Sequence, residues 1–257
     1  MSYPTWSDLN SPSIVPPLGA RQAHDIGPAA LMVSTEPDLR YIRSNSGKLA
    51  STPFFNGSLF THEDKAQHFC VAGPYIGAPY AVMLLESLIA KGARKIIVLG
   101  WCGAITKELS PGDLVVVKKS FIDEGTSHHY MHIKDDPPSS HPDSTLTQNL
   151  VSHLEKSGQT PNLCTIWTTD AIYRETPEKV EWYNGIGANA VEMECSALFS
   201  VASYRKVSIA ALLVVSDSLA KKNGDWEPGF RTKQFKTMRR VACESAVTMT
   251  RKIANGV

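Results

Sequence analysis

The stretch Ala190-Val191-Glu192-Met193-Glu194-Cys195-Ser196-Ala197-Leu198-Phe199 has the pattern of a helix start that carries two acids close together. Met193, Ala197 and Leu198 recur at helical spacing and predict one apolar face. Glu194 falls on that same face, where a carboxylate is costly unless something binds it. The simpler alternative is an acid in the first helical turn, which the helix dipole favours. The stretch taken alone leaves both interpretations open.

Short apolar runs alternate with amphipathic segments on both sides of this stretch. The runs typical of buried strands are Ala29–Val33, His68–Ala72, Lys95–Leu99, Leu114–Val117, Asn162–Trp167 and Ser208–Val215. Helices are predicted over residues 80–91, 146–154 and 232–254, and after Pro177. This alternation predicts a three-layer αβα fold of the α/β class, with a mixed central sheet flanked by helices. We expect one domain over residues 1–257, with an irregular, proline-rich arm at residues 1–28.

The composition argues against several functional classes. A hydrophobic content of 42% and a charged content of 20% are typical of a soluble globular protein. A net charge of +1 gives no basis for nucleic-acid binding, and no apolar run is long enough to cross a bilayer. Residues 1–19 lack the apolar core of a secretory signal. The five cysteines are far apart in the sequence, so we expect buried, reduced thiols in a cytoplasmic protein.

Polar groups gather where the predicted strands end, the edge at which open α/β sheets collect ligands. The turn after the first strand leads through Glu36 and Asp38 to Arg40 and Arg43. One interpretation of this segment is a ligand site, and the alternative is a solvated polar turn with ordinary surface ion pairs. Residues 100–105, Gly-Trp-Cys-Gly-Ala-Ile, are expected to form a turn in which two glycines permit close backbone approach.

Asp217 is the best single candidate for catalysis. It follows the long apolar run that ends at Val215. A carboxyl group at the end of a buried strand is partly desolvated, which helps it hold a proton near neutral pH and act as a general acid. The alternative is a cap for the following loop. A second feature is the turn at residues 73–79, which could present backbone N–H groups to an anion or simply link a strand to a helix.

Three histidines lie within one short segment, at His128, His129 and His132. A polar loop is favoured over a zinc site, because no cysteine lies nearby and the spacing signatures of zinc ligands are missing. We therefore predict no metal site.

Five short motifs follow one another between residues 71 and 219. They are Gly100-x-Cys102-Gly103, Pro111-Gly112-Asp113, Thr169-Asp170 with Tyr173, Val191-Glu192-Met193-Glu194 and Ser216-Asp217. In order and spacing this set resembles the nucleoside phosphorylase superfamily, which contains purine nucleoside phosphorylases, uridine phosphorylases and related nucleosidases. The acidic motif followed by Ser-Asp is its most specific part.

The resemblance implies a ribose site in the acidic motif. Glu194 would grip the ribose hydroxyls, with Met193 packing on the sugar and Glu192 nearby. Two sugar hydroxyls would satisfy the lone pairs of a carboxylate that otherwise lies on an apolar face.

The resemblance also implies a base site. Asp217 would protonate purine N7 as the base leaves. Residues that would contact the base are Ile172, Tyr173 and Ser216. Thr176 and Glu178 stand where uridine phosphorylases supply the Gln and Arg that read uracil, so a purine is the expected base.

The phosphate site departs from the family pattern. Val98 and Trp101 stand where phosphorylases of this group usually carry an Arg and a Ser or Thr beside Gly100. The family's early Gly-Asp-Pro-x-Arg loop is replaced by residues 35–40, and Glu36 and Asp38 would repel a phosphate.

Three functions therefore remain open at this point. The first is phosphorolysis of a purine nucleoside to free base and ribose 1-phosphate, with phosphate held by rearranged arginines such as Arg40, Arg43 or Arg174. The second is hydrolysis, with Glu36 or Asp38 activating water. The third is nucleoside binding without turnover.

The resemblance implies no cofactor other than phosphate as a co-substrate. It also implies a homo-oligomer, a trimer or a hexamer built from dimers, in which a neighbouring subunit completes each ribose site. His24 in the N-terminal arm is the candidate for that completing residue.

Overall fold

A computed structural model describes residues 8–19, 26–62, 68–133, 136–220 and 225–256 of the chain. Its strands are β1 (Ala29–Val33), β2 (Leu49–Phe54), β3 (Gly57–His62), β4 (Phe69–Gly73), β5 (Lys95–Ala104), β6 (Leu114–Asp123), β7 (Ser139–Ser140), β8 (Asn162–Thr169), β9 (Ala190–Glu192), β10 (Ser208–Ser218) and β11 (Glu227–Pro228). Its helices are α1 (Glu36–Asn45), α2 (Ala78–Ala90), α3 (Ser144–Lys156), α4 (Pro177–Gly185), α5 (Cys195–Arg205) and α6 (Lys233–Ala254). The predicted arm residue His24 lies outside the described residues.

The strands form one mixed sheet, in the order β11-β10-β6-β8-β9-β5-β1-β4-β3-β2, with β7 paired to β6. β5 runs parallel to β1 and also parallel to β10. Because β10 pairs with β6 on its other side, the strands β5, β10, β6, β8 and β9 close into a ring. The strand ends that carry the candidate residues therefore meet around one opening.

Helices cover both faces of the sheet. Helices α2 and α5 bury residues such as Leu84 and Phe199 against one face. Helices α1, α3 and α6 bury Ile42, Leu150 and Phe235 against the other. Burial of these apolar faces is the main stabilising contribution to such a layered fold. The predicted three-layer αβα architecture is confirmed.

Strand β5 is longer than predicted. It continues to Ala104, so the expected turn over residues 100–105 was wrong. The two glycines let neighbouring side chains approach the β5 backbone closely, and they do not turn the chain. A Cβ at Gly100 would lie 2.9 Å from Ser34 Oγ, and a Cβ at Gly103 would lie 3.2 Å from Asp217 Oδ2. Glycine at these positions lets side chains from neighbouring segments lie against the backbone of β5.

The acidic motif also differs from its prediction. Ala190–Glu192 is strand β9, and helix α5 begins at Cys195 rather than near Ala190. The backbone of Ala190 and Val191 pairs with β5, which commits these residues to the sheet. Glu194 precedes the helix and does not lie on its apolar stripe. The helical-face argument for this residue was therefore wrong.

Two further differences concern polar segments. The hairpin of β2 and β3 was not predicted, because Ala50–Pro53 is exposed and shows no apolar alternation. Helix α1 begins at Glu36, so Glu36 and Asp38 lie in a helix rather than in the expected turn. The five cysteines are buried free thiols, as predicted. Within the described ranges, none of the helices combines the length and apolarity needed to span a membrane.

Candidate active site

A cleft of about 630 Å³ opens where β1, β5, β9 and β10 end. This volume lies within the range of small-molecule sites. The predicted site residues that border it are Trp101, Ile172, Tyr173, Glu192, Met193, Glu194, Ser216 and Asp217. The fold thus brings the ribose and base candidates to one cavity, although they come from separate parts of the chain.

Glu194 is held at the junction between β9 and α5. The N–H of Gly77, just before α2, donates to Glu194 Oε1 over 2.6 Å. Gly77 has a φ of 80°, a conformation that favours glycine. The turn over residues 73–79 therefore presents a backbone N–H to the protein's own Glu194 carboxyl. Burial raises the pKa of Glu194 to about 8, and the nearby charge of Glu192 adds to the increase.

Glu192 is bound within the protein on both carboxyl oxygens. Its Oε2 accepts the N–H groups of Glu194, at 2.7 Å, and Cys195, at 2.8 Å. Its Oε1 accepts the hydroxyl of Thr168. Glu192 thereby satisfies N–H groups that the start of α5 leaves free, and it fixes the backbone of Glu194. Burial raises the pKa of Glu192, and these donors oppose the increase.

Asp217 lies at the end of β10, just after an irregularity in the pairing with β5. Its Oδ1 accepts the hydroxyl of Ser216 at 2.5 Å, and its Oδ2 accepts the indole N–H of Trp226 at 2.8 Å. Ser216 is buried, and its hydroxyl also lies 3.2 Å from the carbonyl oxygen of Cys102. Asp217 is therefore oriented by its neighbour Ser216 and by Trp226, which precedes β11, and its carboxyl lies beside Gly103 on the cleft wall.

The outer rim of the cleft carries exposed apolar groups. Ile172 and Tyr173 lie on a short 3₁₀ turn, and the Tyr173 side chain is 96% exposed. Trp226 and Phe230 face the same cavity, and their rings lie 6.1 Å apart. Flat apolar groups of this kind suit a planar heterocycle. Sequence reasoning missed Trp226 and Phe230, because they fall in a segment without helical or strand periodicity.

Trp101 fills the inner end of the cleft next to β1. Its indole N–H donates to Asp38 Oδ2 over 2.7 Å, and the Thr35 hydroxyl donates to the same oxygen over 2.8 Å. The Asp38 side chain is fully buried, and its Oδ1 lies 3.1 Å from the guanidinium of Arg239 on α6. Burial raises the pKa of Asp38, and these partners oppose the increase. The hydrogen-bond donors at this end of the cleft, Trp101 and Thr35, are therefore already bound to the Asp38 carboxyl.

The remaining predicted phosphate or water residues do not border the cleft. Arg40 is on the surface, 3.2 Å from Glu36 on the same face of α1. The Arg43 guanidinium lies over the ring of Phe60. Gly100 is covered by Ser34. Arg174 is exposed and lies outside the cleft lining.

The histidine-rich segment forms a 3₁₀ turn at Ser127–His129 followed by an irregular loop. Across the described ranges, no three His, Cys, Asp or Glu side chains come together in a way that could hold a metal ion.

Sequence comparison supplies the family. The sequence model of the Phosphorylase superfamily matches residues 28–254, which include the whole cleft. The chain belongs to this superfamily.

Relatives of this superfamily member are distant. The purine nucleoside phosphorylase DeoD-type of Colwellia psychrerythraea is 29% identical over 193 residues, covering 73% of this chain and 80% of the relative. The guanosine phosphorylase of Halorubrum lacusprofundi is 29% identical over 148 residues, or 58% of this chain. The chain spans 60% of that relative's length.

Solved structures share the fold of this phosphorylase superfamily member. The purine nucleoside phosphorylase from Toxoplasma gondii in complex with immucillin-H superposes with a TM-score of 0.78 at 20% identity, covering 91% of this chain and 94% of that one. A uridine phosphorylase from Vibrio fischeri superposes with a TM-score of 0.75 at 20% identity, with the same coverage.

The raised pKa of Glu194 predicts a stability cost. The folded protein keeps this carboxyl protonated at pH values where the unfolded chain ionises it, so the fold loses stability between about pH 5 and 8. Glu194→Gln removes this titration. We expect its free energy of unfolding at about pH 8 to exceed that of the wild type by about 1–3 kcal/mol, with no difference near about pH 4.

Denaturant unfolding at both pH values measures this effect. Glu181→Gln, an exposed position on α4, is the matched control and should leave the unfolding free energy unchanged. A lower stability of Glu194→Gln at the higher pH would contradict the account.

Proposed function

We propose that this chain is an enzyme that cleaves the N-glycosidic bond of a purine nucleoside. The observation that carries the proposal is that Glu194 and Asp217 border one cleft from two different strand ends. A nucleoside has two parts that need separate recognition, the sugar and the base. The cleft offers the buried Glu194 carboxyl for the sugar and the Asp217 carboxyl, oriented by its hydrogen bonds, for the base.

The sugar would bind at the junction of β9 and α5. Two vicinal hydroxyls donate best to an ionised carboxylate, which has lone pairs for both. The N–H of Gly77 binds one carboxyl oxygen of Glu194, Oε1, and the other oxygen remains for the sugar. The Glu192 carboxyl holds the backbone of Glu194 in place. Met193 borders the cleft beside it and would pack on the sugar ring. Binding would then draw a proton from Glu194, because its pKa is about 8 in the empty protein.

The base would lie between Asp217 and the apolar rim. Ile172 and Tyr173 supply exposed surface for a flat ring. Asp217 would transfer a proton to N7 as the bond to the sugar breaks, so that the purine leaves as a neutral base. Ser216 orients the Asp217 carboxyl through their hydrogen bond. The residues that replace the uracil-reading pair, Thr176 and Glu178, favour a purine over a pyrimidine.

We propose water as the attacking nucleophile. Trp101 takes up volume at the inner end of the cleft, and the Asp38 carboxylate already occupies the donors of Trp101 and Thr35. A phosphate dianion there would face the buried Asp38 and lose the strong charge-assisted bonds that hold such groups. Ser34 and Thr35 border the cleft beside Trp101 and could position a water molecule. Neither Glu36 nor Asp38 borders the cleft, so neither is proposed as the activating base.

Phosphorolysis is the second candidate. The names of curated relatives favour it, since they include a guanosine phosphorylase and purine nucleoside phosphorylases. In that reaction the products would be the free base and ribose 1-phosphate.

We further propose a homo-oligomer. Ile14 and Val15 in the described part of the arm are 99% and 76% exposed, which supports a contact with a neighbouring subunit. Light scattering of the purified chain tests the proposal, and a monomer at micromolar concentration would contradict it.

Base release with and without phosphate separates the two candidate reactions. With inosine, adenosine, methylthioadenosine and uridine as substrates, we expect purine release and free ribose in phosphate-free buffer, with no acceleration by added phosphate. Release that requires phosphate and yields ribose 1-phosphate would overturn the choice of water. Tight binding of a nucleoside without any release would overturn the enzymatic proposal itself.

The role of Asp217 predicts the effect of Asp217→Asn. An amide keeps the size of the side chain but cannot deliver the carboxyl proton, so we expect kcat for inosine to fall by about 10²–10⁴-fold. The exposed neighbour substitution Asp225→Asn should leave kcat unchanged. Full activity of Asp217→Asn would remove this residue from the reaction.

A further inference from the structure

Glu175 borders the cleft, although no sequence motif identified it. It directly follows the 3₁₀ turn that carries Ile172 and Tyr173. The same side chain borders an adjoining cavity of about 710 Å³, and Leu219 and Trp226 are the other residues common to both cavities. Glu175 is therefore placed on the base side of the cleft, next to the tryptophan that binds Asp217.

Among the described residues, Glu175 differs from the other cleft acids because its carboxyl has no hydrogen-bond donor. Glu192, Glu194 and Asp217 each accept hydrogen bonds from named donors. Within the described part of the chain, the partly buried Glu175 carboxyl takes part in no hydrogen bond or salt bridge. A carboxyl in that situation favours its neutral form, because burial penalises the charge and no donor compensates for it.

Charged groups around Glu175 reinforce this preference. Asp217 of β10 is the acidic group that acts on it, and Lys179 of α4 is the basic one. The Lys179 ammonium is already paired with Asp123 at 2.7 Å. Burial and the Asp217 charge together raise the pKa of Glu175 to about 7, and Lys179 offsets only part of the increase. The charged residues that line the adjoining cavity are Lys107, Glu108 and Glu181.

We propose that Glu175 holds a proton on the base side of the cleft and passes it, through water in the cleft, to Asp217, which delivers it to the leaving purine. This inference rests on the proposed function and adds a positioning residue to it. A partly buried carboxyl without a hydrogen-bond donor keeps its proton near neutral pH more readily than an exposed carboxyl does.

The proton balance of one turnover is as follows. The C1′–N9 bond breaks and its electron pair passes to the purine, while the proton from Glu175 reaches N7 by way of Asp217. Water forms a bond to C1′ and gives up one proton, which returns to Glu175. The sum is nucleoside plus water giving free base plus ribose, with no other reactant.

The experiment compares two substrates in wild type and Glu175→Gln. Inosine needs a proton on its leaving base, whereas the base of 7-methylguanosine is already positively charged. We expect Glu175→Gln to lower kcat for inosine by about 10–100-fold and kcat for 7-methylguanosine by less than about threefold. A residue that merely shapes the cleft would affect both substrates alike, and that result would overturn the proposal.

The pH profile gives a second readout. Wild-type kcat/KM for inosine, which reports the free enzyme, should fall as pH rises through about 7, because Glu175 loses its proton, and Glu175→Gln should lack this step. The pKa of Glu194 is about 8 in the empty protein and this residue acts on both substrates, so its step in kcat/KM should remain in every profile, including that of 7-methylguanosine. A wild-type inosine profile without the lower step would contradict the proposal.

Two control variants keep the result interpretable. Glu155→Gln removes an exposed carboxyl on α3 and should match the wild type. Glu175→Asp keeps a carboxyl and should restore part of the inosine rate together with the pH step, and failure to restore either would count against the proposal. If wild type releases base from neither substrate, the proposed function fails. If it cleaves both and Glu175→Gln changes both equally, only the proton transfer from Glu175 fails.

Discussion

The Glu192 carboxylate is the constraint on which the site depends. It accepts the N–H groups of Glu194 and Cys195 and the hydroxyl of Thr168, so one side chain ends β9, begins α5 and fixes the residue between them. Without it, the first N–H groups of α5 would be buried without partners, a cost of about 1–3 kcal/mol for each. Because Glu192 is fully engaged in this way, Glu194 is the member of the two that faces the cleft with spare hydrogen-bonding capacity.

The same arrangement stores energy at the site. Glu192 and Glu194 both lie in a buried position, and the charge of Glu192 raises the cost of ionising Glu194. A bound sugar would relieve that cost by donating hydroxyls to the charged form of Glu194. Across the cleft, Asp217 lies on β10, and its carboxyl approaches β5 at Gly103, where a Cβ would lie 3.2 Å from Asp217 Oδ2. Rigid placement on strand ends is what a cleavage site requires.

The sequence predicted the layers and the convergence of strand ends, because these follow from apolar periodicity. It misjudged the end of β5, since glycines that admit Asp217 and Ser34 look like turn residues when their neighbours are unknown. It could not predict that Asp38 is buried and paired with Arg239, because Arg239 lies on the last helix, far away in the sequence. Glu175 has no local signal at all, because its environment arises only when β10 and Trp226 pack beside it.

The central claim is that one nucleoside contacts both Glu194 and Asp217. A crystal structure with a purine C-nucleoside, whose carbon–carbon glycosidic bond resists cleavage, tests it most directly. The account predicts the ribose hydroxyls within about 2.5–3.2 Å of the Glu194 carboxyl, with the N7 edge of the base facing Asp217. A ligand bound outside the cleft, or one that leaves either carboxyl without contact, would contradict it.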